Sequence, residues 1–305
     1  MLVALCLYNA GIIIQKLGGI VINILQKILF IPDYLIGYGM GDPERNGEYR
    51  FLKSYLTPSV VVLDVGANIG EYAEKVIDFV STAIVHCFEP VNDTFKSLIS
   101  NSKLTKKADQ IEFNHFGLSD ECGEAEIYIY GKLGGSNSIV YNEYHASLAT
   151  ELVVETIRLK KLNDYLAEIG VASVDFLKID VEGLEARVLA GAINSIKSGV
   201  FGAIQFEYGG QWKNSGASLV DLLFSLKNSG YLIYRLTPWG KLPIKRIGPG
   251  LENYKHCNYI AIKDREWFVF YCHKCMSNRW GQDKENPSSL AKGLWLKSYP
   301  SFSGC

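Results

Sequence analysis

The sequence predicts an α/β fold built on a doubly wound, mostly parallel sheet. Three observations carry this. Short β-branched runs such as Val60-Val61-Val62-Leu63-Asp64-Val65 are apolar at nearly every position, as strands covered on both faces must be. Segments of helical periodicity separate these runs, so strands and helices alternate. Glycines or acids then punctuate their carboxyl ends: Gly66-Ala67-Asn68-Ile69-Gly70, Glu89-Pro90 and Asp180.

Residues 1–31 carry only two charges, Lys16 and Lys27. Leu17, Ile20, Val21, Ile24, Leu25, Ile28 and Leu29 recur at helical spacing, which predicts an N-terminal hydrophobic helix. Packing on the domain is the first reading of that helix, and peripheral contact with a membrane surface is the second. No basic region precedes Leu2, which argues against a secretory signal. Asn9, Gln15 and Lys16 interrupt the run of ~20 apolar residues that a spanning helix needs. Turn chemistry at Tyr38-Gly39-Met40-Gly41-Asp42-Pro43 closes this segment. Three parts result: residues 1–43, a main domain at 44–264 and a tail at 265–305.

Within the main domain, helices are expected at 48–56, 71–79, 93–100, 162–169, 184–197 and 218–229. Strands are expected at 60–65, 83–88, 111–116, 174–179, 200–207, 231–236 and 259–263. Residues 123–130 alternate apolar Ala125, Ile127 and Ile129 with polar or amphipathic neighbours. Residues 151–159 alternate likewise, so the two predict a small β-hairpin insertion, with a mobile loop around Gly134-Gly135-Ser136 between them.

Lys and Arg number 31 against 32 Asp and Glu, so no excess of positive charge exists to neutralise nucleic-acid phosphates. Lys103, Lys106 and Lys107 form only a short solvated cluster. Seven scattered cysteines are no disulfide scaffold and favour a reducing, cytoplasmic setting, with membrane association through residues 1–31 as an addition to it. Cys272-His273-Lys274-Cys275 has the spacing of half a zinc site, which His256 and Cys257 would have to complete. An unremarkable tail is the favoured reading.

In open α/β sheets the ligand sits at the carboxyl ends of the strands. There the first strand runs into Asp64-Val65-Gly66-Ala67-Asn68-Ile69-Gly70-Glu71, and the second ends at Glu89. Glycines let the backbone approach a ligand closely, and a carboxylate one strand later accepts the hydroxyls of a ribose. Asn68 and Glu71 stand where a dinucleotide fingerprint needs glycines, and Glu71 would face a pyrophosphate with negative charge. A cationic sulfonium cofactor tolerates those acids, which favours S-adenosylmethionine over NAD.

Further along, Asp180 and Glu182 meet the carboxyl end of a strand and the start of a helix. Helix capping explains acids at such a place, yet two acids beside a cleft also orient a hydroxyl or take its proton. Glu207 ends the next strand, and His256 precedes the last. Asp180, Glu182, Glu207 and His256 are therefore the catalytic candidates. His115 is a weaker candidate base, Lys178 a candidate partner for an acid, and Tyr208, Trp212 and Trp239 candidates to stack on a sugar.

Taken together, residues 62–71, Phe88-Glu89-Pro90, Gly117-Leu118-Ser119-Asp120 with Gly123, and Lys178-Ile179-Asp180-Val181-Glu182-Gly183-Leu184-Glu185 with Val188, Leu189 and Gly191 resemble the FkbM-type family of S-adenosylmethionine-dependent methyltransferases. The lead-in Asn46-Gly47-Glu48-Tyr49 is also similar, and the likeness covers roughly residues 44 to 263. It implies a Rossmann-like, seven-stranded methyltransferase fold and O-methyl transfer, often to hydroxyls of sugars or polyketide-like compounds.

The resemblance implies the cofactor contacts as well. The loop Gly66, Ala67, Asn68 and Gly70, with Asp64 and Glu71, would meet the amino acid part. Glu89 with Pro90 would meet the ribose, and the stretch with Phe116 and Gly117 the adenine. Asp180 would border cofactor and acceptor. The expected partner is a small-molecule or glycan acceptor, sugar favoured. A divalent metal on Asp180, Glu182 and Glu207 is a less favoured addition. The alternatives are a membrane-attached binding protein that keeps the fold without catalysis and, further off, a NAD-linked oxidoreductase.

Overall fold

Five parallel strands make up one side of the sheet, and the inner four exist because their residues can be buried on both faces. In this computed structural model, residues 33–131, 137–141 and 143–266 are described. Contacts gather Met1–Lys263 into one unit, with Asp264–Cys305 as a second. The strands are β1 Val61–Val65, β2 Ile84–Phe88, β3 Ile111–Asn114, β4 Gly117–Leu118, β5 Gly123–Tyr130, β6 Leu152–Lys160, β7 Val174–Ile179, β8 Phe201–Tyr208, β9 Tyr231–Thr237, β10 Gly240–Pro243 and β11 Cys257–Lys263.

The main sheet has the order β10-β9-β11-β8-β7-β1-β2-β3. Pairing is parallel from β3 through β8 and antiparallel where β11 meets β8 and β9 and where β10 meets β9. The chain winds outward from β1 on both sides, so the carboxyl ends of β1 and β7 flank a switch point. Val62, Leu63, Val85, Phe176, Leu177 and Ile204 are fully buried there, each stabilising the fold by about 1.5–3 kcal/mol.

The expected count of seven strands becomes eight. Thr237-Pro238-Trp239-Gly240 turns the chain back, with Gly240 at φ 136° and the Thr237 hydroxyl donating to its carbonyl, and β10 adds an edge strand. Two further boundaries differ. β3 stops at Asn114, two residues before the expected end. The helix expected at 184–197 is two helices, Glu185–Gly191 and Ile193–Lys197. At Gly191 a Cβ would stand 2.0 Å from the Ser119 carbonyl oxygen, so the first helix ends where it touches another backbone.

The hairpin insertion is present: β5 and β6 pair antiparallel from Gly123↔Leu159 to Tyr130↔Leu152. β4 joins β6 in parallel and makes it a three-stranded sheet, and the helix Glu143–Leu148 lies between β5 and β6 in the chain. The helix expected in residues 1–31, the loop at 134–136 and the Cys272/Cys275 pair lie outside the described residues. Among the described residues, no helix is long and apolar enough to cross a membrane.

Residues 33–47 cross the carboxyl end of β9 and the amino end of β11 as a strap. Arg235 Nε donates to the Ile36 carbonyl at 2.8 Å, and its guanidinium lies 4.0 Å from the Tyr38 ring centre. The Gly39 N–H donates to the His256 carbonyl at 2.7 Å. Gly47, at φ 102°, touches the Thr237 backbone so closely that a Cβ would sit 2.1 Å from its oxygen.

Candidate active site

The site is assembled at the end of β1. Gly66 takes φ 81°, and a Cβ there would lie 1.8 Å from the Asp180 carbonyl oxygen, so glycine lets the loop cross the end of β7. The Gly66 and Ala67 N–H groups donate to the Phe88 carbonyl at 3.0 and 2.9 Å, which ties the loop to β2. The Asn68 N–H donates to Glu89 Oε2 at 3.1 Å, and the Val91 N–H to Glu89 Oε1 at 2.9 Å. Burial pushes the Glu89 carboxyl up to about 7 against the pull of these two donors. The Asn68 Oδ1 atom is buried and accepts no hydrogen bond.

Beneath the loop, Asp64 is wholly buried, and neither carboxylate oxygen has a hydrogen-bond partner. Lys178 Nζ stands 3.8 Å from Asp64 Oδ1 and donates to Asp180 Oδ2 at 3.2 Å. Burial raises the Asp64 carboxyl, and Lys178 opposes that rise. Burial also works against the Lys178 ammonium, yet Asp180, Asp64 and Glu48 together hold it above its ordinary value. The same ammonium sits 4.8 Å from the Tyr72 ring centre.

Across the cleft, the turn after β7 is closed by Glu185, whose Oε1 accepts from the Val181 and Gly183 N–H groups at 3.1 and 3.2 Å. Glu185 thus braces the turn, and the helix Glu185–Gly191 has no side-chain cap hydrogen bond from Asp180 or Glu182. Glu182 has a left-handed backbone at φ 56°. Burial, then Glu207 and Asp180, push its carboxyl up to about 9. Gln211 Nε2 donates to Glu182 Oε2 and to Glu207 Oε2, each at 3.0 Å. His256 Nε2 shares a hydrogen bond with Glu207 Oε1. That bond raises the imidazole above its ordinary value, while burial opposes the rise. One carboxylate oxygen each from Asp180, Glu182 and Glu207 lies within 4.8 Å of the others.

These groups surround a cleft of about 230 Å³. Of the sequence candidates, Gly66, Ala67, Asn68, Glu71, Glu89, Pro90, Gly117, Asp180, Glu182 and Glu207 line it. Asp64 lies below the wall, and His256 reaches the cleft through Glu207. Gly70 starts the helix Glu71–Phe79 and packs on Leu98 and Leu104. Phe116 is outside the lining: its ring stands edge-on to Phe88 and Tyr165. His115 stacks on Phe95, Tyr208 and Trp212 are buried in the core, and Trp239 is exposed on the β9–β10 turn. None of these four lines the cleft.

Two groups were not among the sequence candidates. Gln211 is one. The other is Glu48, which lines the cleft and accepts from Asn46 Nδ2 at 2.5 Å, Gln205 Nε2 at 2.5 Å and Asn258 Nδ2 at 3.0 Å. The lead-in around Glu48 was a signal for the second; no local pattern marked the first.

Residues 64–233 match the methyltransferase FkbM domain. The chain is 32% identical over 160 residues to the 31-O-demethyl-FK506 methyltransferase FkbM of Streptomyces tacrolimicus, covering 45% of this chain and 60% of that one. It is 26% identical over 183 residues to the 2-O-methyltransferase NoeI of Sinorhizobium fredii, covering 56% and 73%. It is 32% identical over 152 residues to the hexuronic acid methyltransferase AglP of Haloferax volcanii, covering 49% and 56%. The chain thus spans less than two thirds of the FK506 and hexuronic acid enzymes. The domain match extends over more than half of the chain, from Asp64 in β1 to Ile233 in β9, and the chain belongs to the FkbM methyltransferase family.

Proposed function

We propose that the cleft binds S-adenosylmethionine and that the chain transfers a methyl group to a hydroxyl oxygen of a small molecule or glycan. The observation that carries this reading is one cleft with Glu89, anchored by the Asn68 N–H, on one wall and Glu207, joined to His256, on the other. The residues fit the cofactor. Among the described residues, Asn68 Oδ1 is a buried acceptor without a donor, and Glu89 is a buried carboxyl on the cleft wall that accepts from two backbone N–H groups. Both suit the hydroxyl and amino donors of a nucleoside carrying an amino acid.

S-adenosylmethionine, when bound, supplies an electrophilic methyl carbon on a cationic sulfonium. Glu89 would hold the ribose hydroxyls, and the loop from Gly66 to Glu71 would border the amino acid part. Pro90 and Gly117 would border the adenine. Asp180, which accepts from Lys178 Nζ at 3.2 Å, is held beside the cleft. The acceptor hydroxyl proton would pass to the Glu207–His256 pair, in which Glu207 faces the cleft and His256 positions it. Holding the two reactants together supplies most of the rate, since the substitution itself needs little else.

A divalent ion on Asp180, Glu182 and Glu207 is the less favoured arrangement, because the Gln211 amide already bridges two of the three. Calorimetric titration of the full chain with S-adenosylmethionine and with NAD tests the cofactor. Micromolar binding of the first and none of the second is the expected result. Binding of NAD alone would overturn the reading.

A further inference from the structure

The charges around the cleft say something about what it admits. Among the described residues, its lining holds six carboxyl groups, Glu48, Glu71, Glu89, Asp180, Glu182 and Glu207, and one ammonium, Lys178. That ammonium is committed. It is buried, it donates to Asp180, it stands 3.8 Å from Asp64, and it lies over the Tyr72 ring. The nearby imidazole of His256 is committed to Glu207. A carboxylate or phosphate on the acceptor would thus be desolvated beside these acids with no free cation among the described residues to meet it.

An ammonium on the acceptor is disfavoured for a different reason. The place a cation would take between Glu182 and Glu207 is filled by Gln211 Nε2, at 3.0 Å from each. Gln211 is itself fixed: Gly183, at φ 103°, packs so closely that a Cβ would come 3.0 Å from the Gln211 carbonyl oxygen. The Glu182 and Glu207 carboxyl groups, each already accepting from Gln211 Nε2, keep further oxygen lone pairs for the hydroxyls of an acceptor.

We infer that the acceptor is an uncharged polyhydroxyl compound, selected by the carboxyl groups of Glu182 and Glu207 with Gln211 fixed between them. This deepens the methyltransferase reading and rests on it. It separates the chain from its relative AglP, which is named for a hexuronic acid.

The test uses the full chain saturated with S-adenosylhomocysteine. Three matched sugars are compared by saturation-transfer NMR: methyl glucopyranoside, its uronate and its 2-amino analogue. The expected result is binding of the neutral glycoside, with Kd for the uronate weaker by about tenfold or more. Equal or tighter binding of the uronate or the amine overturns the inference, and so does no binding of the neutral sugar. Gln211→Lys places an ammonium at the acid pair and is expected to tighten uronate binding by about tenfold; unchanged uronate affinity in a folded variant also overturns it. Calorimetry of S-adenosylhomocysteine on the same samples reports separately on the cofactor reading. Cofactor binding retained with a uronate preference would sink only the charge assignment.

Discussion

His256 Nε2 and Glu207 Oε1 share a hydrogen bond at the point where antiparallel β11 enters the sheet beside β8. Neither residue is near the other in sequence. Their meeting depends on the reversed direction of β11, which brings the start of one strand to the end of the other. A parallel last strand would carry residue 256 to the amino end of β8, far from Glu207.

The first prediction concerns this pair. Accepting a proton requires the pair to have lost one, and the Glu207 carboxylate holds the imidazole above its ordinary 6.5. The rate is therefore expected to rise with pH through a midpoint above 6.5. Glu207→Gln should lower kcat by about 10²-fold or more, abolish that limb and leave S-adenosylmethionine affinity unchanged. A variant with normal kcat removes Glu207 from the chemistry.

Glu89→Ala deletes the carboxyl that the Asn68 and Val91 N–H groups anchor on the cleft wall. Losing charge-assisted hydrogen bonds costs about 1.5–3 kcal/mol, so S-adenosylmethionine affinity should fall by about 10- to 100-fold. Calorimetry against wild type measures it, and undiminished affinity would show that the carboxyl touches no part of the cofactor.

Stability of the ligand-free protein should fall toward alkaline pH. Glu182 titrates at about 9 in the fold against an ordinary 4.5. Glu185 is likewise raised to about 8 and Glu89 to about 7 by burial. For each acid, the protonated form is favoured by folding. The stabilisation is complete below 4.5 and is lost as pH rises through the folded value. Glu182→Gln carries no charge at any pH and should flatten the upper part of the decline. Thermal melts at about pH 6 and about pH 9 decide this, and a variant whose slope equals that of wild type contradicts it.

Gly66→Ala should disturb the loop from within. The new Cβ would meet the Asp180 carbonyl oxygen at 1.8 Å, on a backbone at φ 81°. The left-handed conformation alone costs about 1–2 kcal/mol, and each kcal/mol lowers Tm by about 2–4 °C in a domain of this size. A melt unchanged from wild type would mean that the two loops separate easily.

Metal removal should leave activity intact, because the Gln211 amide bridges Glu182 and Glu207 where an ion would bind. Dialysis against a chelator, followed by an assay with and without magnesium, checks this. Activity lost and then restored by magnesium would assign Asp180, Glu182 and Glu207 as ligands.

Much of this architecture is local and so could be read from the chain alone. The helix Glu71–Phe79 and the strand Val174–Ile179 have the expected ends, because periodicity and flanking turns specify them. Glu89 was legible for the same reason: it follows a buried strand that pairs with β1. What escaped depends on contacts between distant segments. Glu48 and Gln205 are 157 residues apart and meet only when the lead-in helix closes over β8. Gln211 gains its place through Gly183, which no periodicity reveals. The break after Gly191 likewise needs the Ser119 backbone to be known.

The strap over β9 and β11 has a practical consequence for shortening the chain. The backbone of Gly39 holds the carbonyl of His256, and the Asp33 carboxylate pairs with Lys255 beside it at 2.7 Å. Deletions and fusion joints placed among residues 33–47 therefore act on the peptide of His256, although they lie more than two hundred positions away from it in sequence. A cleavage site or affinity handle inserted there would register first as altered turnover and only later as altered folding.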